Sequence, residues 1–323
     1  MTERNPSEPE PGASTPDRTR VDANVAGYEL LDAGVRRKLE RFGALVIDRP
    51  APGTDGFRLA PGAWGQADLR FDPGPGWSGS AWPAAPWPAD IDGLTMEVRP
   101  TDSGGVGLYP EHAANLSWLA EQIGARIDAG SRGSADAAGA ETGAGPAQPL
   151  QVLNLFAHTG LATLAMARAG AAVAHVDGAR SAVAWARRNA GLTGLADRPI
   201  RWLVDDAAAF VAREARRGRR YDGVVLDPPA FGRASGHEWR LENDLPLLLV
   251  ACRAIAADDA FVLLTAHSEH IDGQWLGEVL RQAFGGQSHA IEVVPLEITA
   301  TSGAPLSSGW AARLGLPATR AES

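Results

Sequence analysis

The chain has 323 residues, 45% of them hydrophobic, a formal net charge of −9 and a single cysteine. That length allows two domains with real cores, and no apolar run reaches the roughly 18 residues of a membrane span. Cys252 alone excludes an internal disulfide and an all-cysteine metal site, and the acidic balance argues against nucleic-acid binding driven by net charge, leaving local patches to supply any such contact.

Residues 1–27 are charged and Pro-rich, with too few apolar groups for a core. They read as a disordered tail rather than a secretory signal, so a cytoplasmic protein is expected. From Tyr28, YELLDAGVRRKLERFGALVIDRP mixes a polar turn with the strand-like ALVI. Trp64, Trp77, Trp82 and Trp87 then lie among many Gly and Pro residues, which suits short strands and tight turns better than helices. Residues 28–110 are therefore expected to form a small β-rich domain. Its Trp cluster reads first as the core of a domain with few other large residues, and second as a surface for stacking nucleobases.

In residues 111–149, Leu116, Leu119, Ile123 and Ile127 share one face of a helix. The Gly/Ala/Ser-rich stretch that follows has no apolar period and reads as a flexible linker. Residues 150–323 change texture. Apolar runs such as QVLNLF, AAVAHVD, IRWLV, YDGVVLD and AFVLLTA alternate with helical segments. Such alternation implies right-handed βαβ crossovers and a doubly wound, mostly parallel α/β sheet covered on both faces. Two further strands are expected, AIEVVPLEI and a short one near Pro305–Trp310.

Ligands of such sheets bind beyond the carboxyl ends of the strands. The first strand-to-helix loop, Asn154–Gly160, reads NLFAHTG and lacks both the dinucleotide G-x-G-x-x-G and the phosphate-binding G-x-x-x-x-G-K-[ST] patterns. A pyrophosphate is hard to fit there, which counts against a dinucleotide oxidoreductase; a smaller zwitterion fits better. The next strands end in Asp177, in Asp205-Asp206 and in Asp227-Pro228-Pro229. One strand-end Asp is commonly a helix N-cap, but the set in register suggests a row of acceptors. The prolines push Asp227 toward an extended conformation and remove backbone donors.

Together, NLFAHTG, VDGARSAVAWARRNAGL, VDDAAAFV and DPPAFGR resemble the class I S-adenosylmethionine-dependent methyltransferases, in the branch of the bacterial 23S rRNA methyltransferases. YELLDAGVRRKLERFG and GVGLYPEHAAN resemble the β-rich domain preceding the catalytic domain there. The resemblance implies a Rossmann-like seven-stranded methyltransferase sheet, S-adenosylmethionine as cofactor, no metal, and RNA, with rRNA as candidate, as the partner. It implies that Asn154 and the loop Phe156, Ala157, His158, Thr159 and Gly160 cradle the methionine part. Asp177 would hold the ribose, and Asp206, with Asp205 second, the adenine amino group. Asp227, Pro228, Pro229 and Phe231 would border the methyl group and the acceptor, with Phe231 stacking on a planar one. GLYPEH would close over the cofactor, with Glu111 and His112 as contacts.

Methylation at cytosine C5 needs a cysteine thiolate. In the branch that performs it the Cys follows the fifth strand, where this chain reads LLTAHSEHID. Cys252 lies in an apolar helix and reads as an inert thiol. A nucleobase nitrogen is thus the favoured acceptor; a small molecule, a protein, or a non-catalytic RNA-binding or ribosome-assembly role are the alternatives. His267 or His270 is a candidate base, though a lone His near a strand end is more often structural. The basic run Arg213–Arg220 reads as a solvated helix end opposite the site, and Arg233 as the better phosphate contact.

Overall fold

The computed structural model describes residues 27–137, 149–234, 237–268, 270–285 and 290–315. The tail ahead of them, residues 138–148 of the expected linker and the end of the chain lie outside the described residues. Among the described residues no helix is long and apolar enough to cross a membrane.

Strands β1 (Tyr28–Gly34), β2 (Arg37–Phe42), β3 (Leu45–Pro50), β4 (Leu69–Asp72) and β5 (Gly76–Gly79) form a five-stranded sheet in sequence order. Strands β6 (Trp87–Ile91) and β7 (Leu94–Val98) pair as a separate hairpin. Where only strands and turns were expected, Pro61–Gln66 forms a 3-10 helix that opens on a proline. Its Trp64 is buried and donates its indole N–H to Asp32 at 2.8 Å. Trp77 and Trp87 donate to the carbonyls of Thr101 (2.7 Å) and Phe42 (2.8 Å). Three of the four tryptophans thus serve this domain's own structure, and Trp82 is exposed.

Helix α1 (Ala113–Ala137) turns Leu116, Leu119 and Ile123 into the interior and leaves Ile127 exposed. It runs on into the stretch expected to be linker.

The large sheet takes β8 (Gln151–Leu155), β9 (Ala172–Asp177), β10 (Ile200–Val204), β11 (Tyr221–Leu226), β14 (Ala256–Ala266), β15 (Ile291–Thr299) and β16 (Pro305–Leu314). The intervening elements are α2 (Leu161–Arg168), α3 (Arg180–Leu192), α4 (Ala207–Arg216), the hairpin β12 (Phe231–Ala234) and β13 (His237–Arg240), α5 (Leu241–Ile255) and α6 (Gly273–Phe284). The order is β10-β9-β8-β11-β14-β16-β15. The first five are parallel, and β16 lies antiparallel between β14 and β15. This is the doubly wound, Rossmann-like seven-stranded sheet expected. The hairpin is an addition to the elements expected.

The core follows the alternation of each strand. Leu153, Leu155, Val224, Leu226, Val262 and Leu264 pack under α4, α5 and α6. Val152, Val225, Phe261 and Leu263 face the other way, with α1 and α2. Gly223 sits over the Phe261 ring so closely that a Cβ would fall 2.2 Å from it. The β-rich segment shares a continuous core with this domain. Phe42, Ile47, Met96 and Val98 cluster with Leu164, Ala165 and Ala190, and Glu97 N donates to the Asn189 side chain at 2.8 Å.

The strand order reverses between β8 and β11, so the loops that follow these two strands open a crevice at the carboxyl edge. They are the Phe156–Gly160 and Asp227–Phe231 loops, which fixes where a ligand is to be sought.

Candidate active site

The first loop is tightly specified. Phe156, His158 and Gly160 have φ of 55°, 46° and 91°; the two non-glycines occupy a conformation that L residues adopt at some cost and keep only where surroundings hold them. The surroundings do hold them. Asp177, at the end of β9, accepts from His158 N through one carboxylate oxygen and from Ala179 N through the other, each at 2.8 Å. The Thr159 hydroxyl donates to the Gly107 carbonyl at 2.6 Å, and the Asn189 amide donates to the Thr159 carbonyl at 2.8 Å. Gly160 is the residue just ahead of α2, and a Cβ there would lie 2.9 Å from that of Ala186.

This loop bounds a cavity of about 1300 Å³. Phe156, His158, Asp177, Asp205, Asp206, Asp227, Pro228 and Pro229 all line it. Asn154, Ala157, Thr159 and Gly160 line a smaller pocket of about 50 Å³, which shares Tyr109, Phe156, His158 and Asp227 with the larger one. The Asn154 side chain is buried and donates to the Thr163 hydroxyl at 2.8 Å, which in turn meets His175 Nδ1 at 2.9 Å. Its amide is therefore committed to the base of the loop rather than turned toward the large cavity. Burial pushes His175 down to about 3, so this network is neutral. Burial also lowers His158, against the pull of Asp177, and His158 Nδ1 is buried without a hydrogen-bond partner.

At the end of β10 the two aspartates divide their work. Asp206 caps α4 by accepting from Ala209 N at 2.8 Å, and Asp205 is bonded by Arg213. Arg213 thus bonds a residue of the cavity wall without lining the cavity itself, so the basic run is not wholly remote from the site as expected. Other members of the run, Arg217 and Arg220, pair with Glu214 and Asp258.

Asp227 is the hub of the opposite wall. One carboxylate oxygen accepts from the Thr265 hydroxyl at 2.5 Å and meets His267 Nε2 at 3.0 Å. The other lies 3.3 Å from His112 Nε2. His267 Nδ1 faces the Ser308 carbonyl at 2.8 Å. With an acceptor at each ring nitrogen, His267 satisfies both contacts only as the imidazolium. Burial opposes that charge, but the Asp227 carboxylate outweighs it and pushes His267 up to about 9. Burial likewise works to raise Asp227, but the two imidazoles hold it well below the usual carboxylate range. The Glu111 carboxylate lies 4.0 Å from His267 Nδ1.

The acceptor side holds two features that the sequence did not show. Phe231 is 71% exposed and lines neither pocket. Its place is taken by Trp239 of β13, whose ring sits 5.3 Å from that of Phe156. Trp239 also donates its indole N–H to the Pro229 carbonyl at 2.8 Å, so that carbonyl is not free of donors as the Pro-Pro pair suggested. The side chain of Arg233 lies outside the described residues. Tyr109 and Glu111 of GLYPEH line the cavity, while sequence reasoning missed the lip formed by Lys38 and Pro50–Gly53, which closes it from the β-rich domain. No local motif marks these residues; the docking of the two domains brings them in.

The strand order, the switch-point crevice and its acidic rim define a class I methyltransferase. No family model matches the chain. It is similar to a crystal structure of an S-adenosylmethionine-dependent methyltransferase from Agrobacterium tumefaciens, with 32% identity over 91% of this chain and 92% of that one and a TM-score of 0.78. The chain belongs to the S-adenosylmethionine-dependent methyltransferases. It shares the fold of a Streptococcus mutans chain assigned to the same class, at 15% identity and a TM-score of 0.67 over 90% of this chain. Among curated proteins it is similar to the ribosomal RNA large subunit methyltransferase K/L of Methylococcus capsulatus, 40% identical over 80 residues. It is also similar to the ribosomal RNA large subunit methyltransferase K of Neisseria meningitidis, 36% identical over 92 residues. These matches span 11% and 25% of those proteins' lengths.

The cavity fits the cofactor the family uses. It offers acceptors for hydroxyl and amino groups at Asp177 and Asp206, and at His158 Nδ1 a buried nitrogen without a partner.

Proposed function

We propose that the chain methylates a nucleobase nitrogen of RNA, with rRNA as the candidate. In this reading Asp177 holds the ribose hydroxyls, Asp206 and secondarily Asp205 the adenine amino group, and the Phe156–Gly160 backbone the amino-acid end. Bound there, S-adenosylmethionine supplies a methyl group already activated on a sulfonium. What remains for the protein is to orient a nucleophile and exclude water.

Asp227 supports this role. A carboxylate has about four lone-pair directions. Thr265, His267 and His112 occupy three of them, leaving one on the oxygen that faces His112 for an N–H of the acceptor. The carboxylate is fixed by its partners, so it does not have to be ordered when the acceptor arrives. Trp239 offers the flat face first sought at Phe231.

The observation that carries the choice of nitrogen over cytosine C5 is the position after β14. His267 stands there, and Cys252 is buried in α5 with its thiol pushed up to about 12 by burial. The relatives named for ribosomal RNA support an RNA acceptor. A small-molecule acceptor is the second reading. It is supported by the net charge of −9 and by Lys38 being the one Lys or Arg among the described residues lining the large cavity.

The test is incubation with labelled S-adenosylmethionine and fractionated extract of a deletion strain, then mass mapping of the product. Label on a nucleobase nitrogen of RNA is expected. Label confined to metabolites or proteins would overturn the reading, and a 5-methylcytosine product would overturn the choice of atom.

A further inference from the structure

Two imidazoles and a carboxylate meet at one point of the cavity wall although they come from three separate elements. His112 precedes α1, Asp227 follows β11 and His267 follows β14. One ligand atom from each lies within 4.8 Å of the others. The side chains of His112, Asp227 and His267 are 14%, 33% and 30% exposed, so the cluster is neither core nor open surface.

The contacts are hydrogen bonds whose lengths fall only a little short of the spacing of a coordination shell. The two Nε2 atoms stand 3.3 and 3.0 Å from the carboxylate oxygens. Ligands about 2.0–2.2 Å from a tetrahedral ion are separated by roughly 3.3–3.5 Å, so small shifts would place one ion among them. The outer contacts also match. His267 Nδ1 faces the Ser308 carbonyl, a partner that fixes Nδ1 as donor and leaves Nε2 for a metal. The Thr265 hydroxyl orients the carboxylate. Glu111 lies on the Nδ1 side of His267 and adds negative charge nearby.

We propose that His112, Asp227 and His267 form a binding site for a divalent first-row transition cation such as Zn²⁺. Two imidazoles and one carboxylate suit such an ion better than Mg²⁺ or Ca²⁺, which favour all-oxygen shells. On binding, the Nε2 protons of His267 and His112 leave to solvent, and the lone pair of each nitrogen takes the ion. Three protein ligands leave at least one coordination position, and since Asp227 and His267 line the cavity, an oxygen of the substrate next to its acceptor nitrogen would fill it.

The test does not depend on the identity of the acceptor. The full chain, stripped with chelator, is titrated with Co²⁺ alone while its visible ligand-field band is followed, and Zn²⁺ is then used to displace it. One saturable equivalent is expected. His112→Ala and His267→Ala should each weaken binding by about 100-fold or more, since loss of outer-shell partners alone costs about 10–100-fold. His270→Ala should bind as the parent chain does. Absence of a saturable band in millimolar Co²⁺ overturns the site whatever the variants do. So does unchanged affinity in both folded variants, with His267→Gln used if the alanine variant does not fold.

Discussion

Replacing Asp177 tests whether one carboxylate both shapes the first loop and holds the cofactor. It accepts two backbone N–H bonds, from His158 and Ala179, each at 2.8 Å. A hydrogen bond to a charged group is worth about 1.5–3 kcal/mol, and part exposure of this one reduces that to roughly 1–2 kcal/mol each. Asp177→Ala should thus release about 2–4 kcal/mol of loop restraint. The freed loop would let Phe156 and His158 leave their left-handed conformations more easily, since only the Thr159 contacts would remain to offset that strain. If the ribose also lies on this carboxylate, its hydroxyls lose an acceptor at the same stroke. At about 1.4 kcal/mol per factor of ten, affinity for the demethylated cofactor should fall at least roughly 100-fold. Asp177→Asn keeps one carbonyl oxygen but turns an NH₂ toward a donor, and should lie between the two. Calorimetric titration with S-adenosylhomocysteine, alongside thermal melting, measures both effects. Parent-like affinity in a folded Asp177→Ala variant would refute the ribose assignment, and a parent-like melting curve would refute the restraint.

Other consequences follow from buried groups. His175 is fully buried and held down at about 3, so it stays neutral in the fold while the unfolded chain binds a proton near 6.5. Its contribution is complete above pH 6.5 and is lost as pH falls toward 3, at up to about 1.4 kcal/mol per pH unit; urea melts of His175→Gln should show a shallower acid loss than the parent, and an identical loss would remove His175 as its cause. Gly223→Ala would put a methyl carbon 2.2 Å from the Phe261 ring and should cost about 1–3 kcal/mol, with part of that recovered on adding Phe261→Leu. Cys252 should be inert to Ellman's reagent at pH 8 until the chain is unfolded, and Cys252→Ala should leave methyl transfer intact; loss of turnover with a normal melting curve would revive a thiol mechanism.

How much of this was legible depended on whether the information is local. Buried parallel strands read as unbroken apolar runs, so their carboxyl ends stand out, and Asp177, Asp205, Asp206 and Asp227 could be found by punctuation alone. All of them line the large cavity. What each oxygen binds was not legible. That Asp206 caps α4 follows from its position before a helix, but Arg213 reaches Asp205 only because α4 turns that side chain back toward its start. His267 comes beside Asp227 because β14 is the neighbour of β11 in register Leu226 to Leu264, so that the residues just beyond both strands meet. Neither the adjacency nor the register is written in either segment. His112 arrives from before α1, a choice made by the docking of the β-rich segment. Phe231 and Trp239 illustrate the same limit within one short hairpin. They belong to the paired strands β12 and β13, one exposed and the other lining the cavity, and only the pairing and its placement over Pro229 decide which is which. The chemistry of the rim was therefore readable as a list of groups. Their coupling into one Asp-centred cluster, on which the proposed acceptor orientation and cation binding both rest, is a property of the sheet.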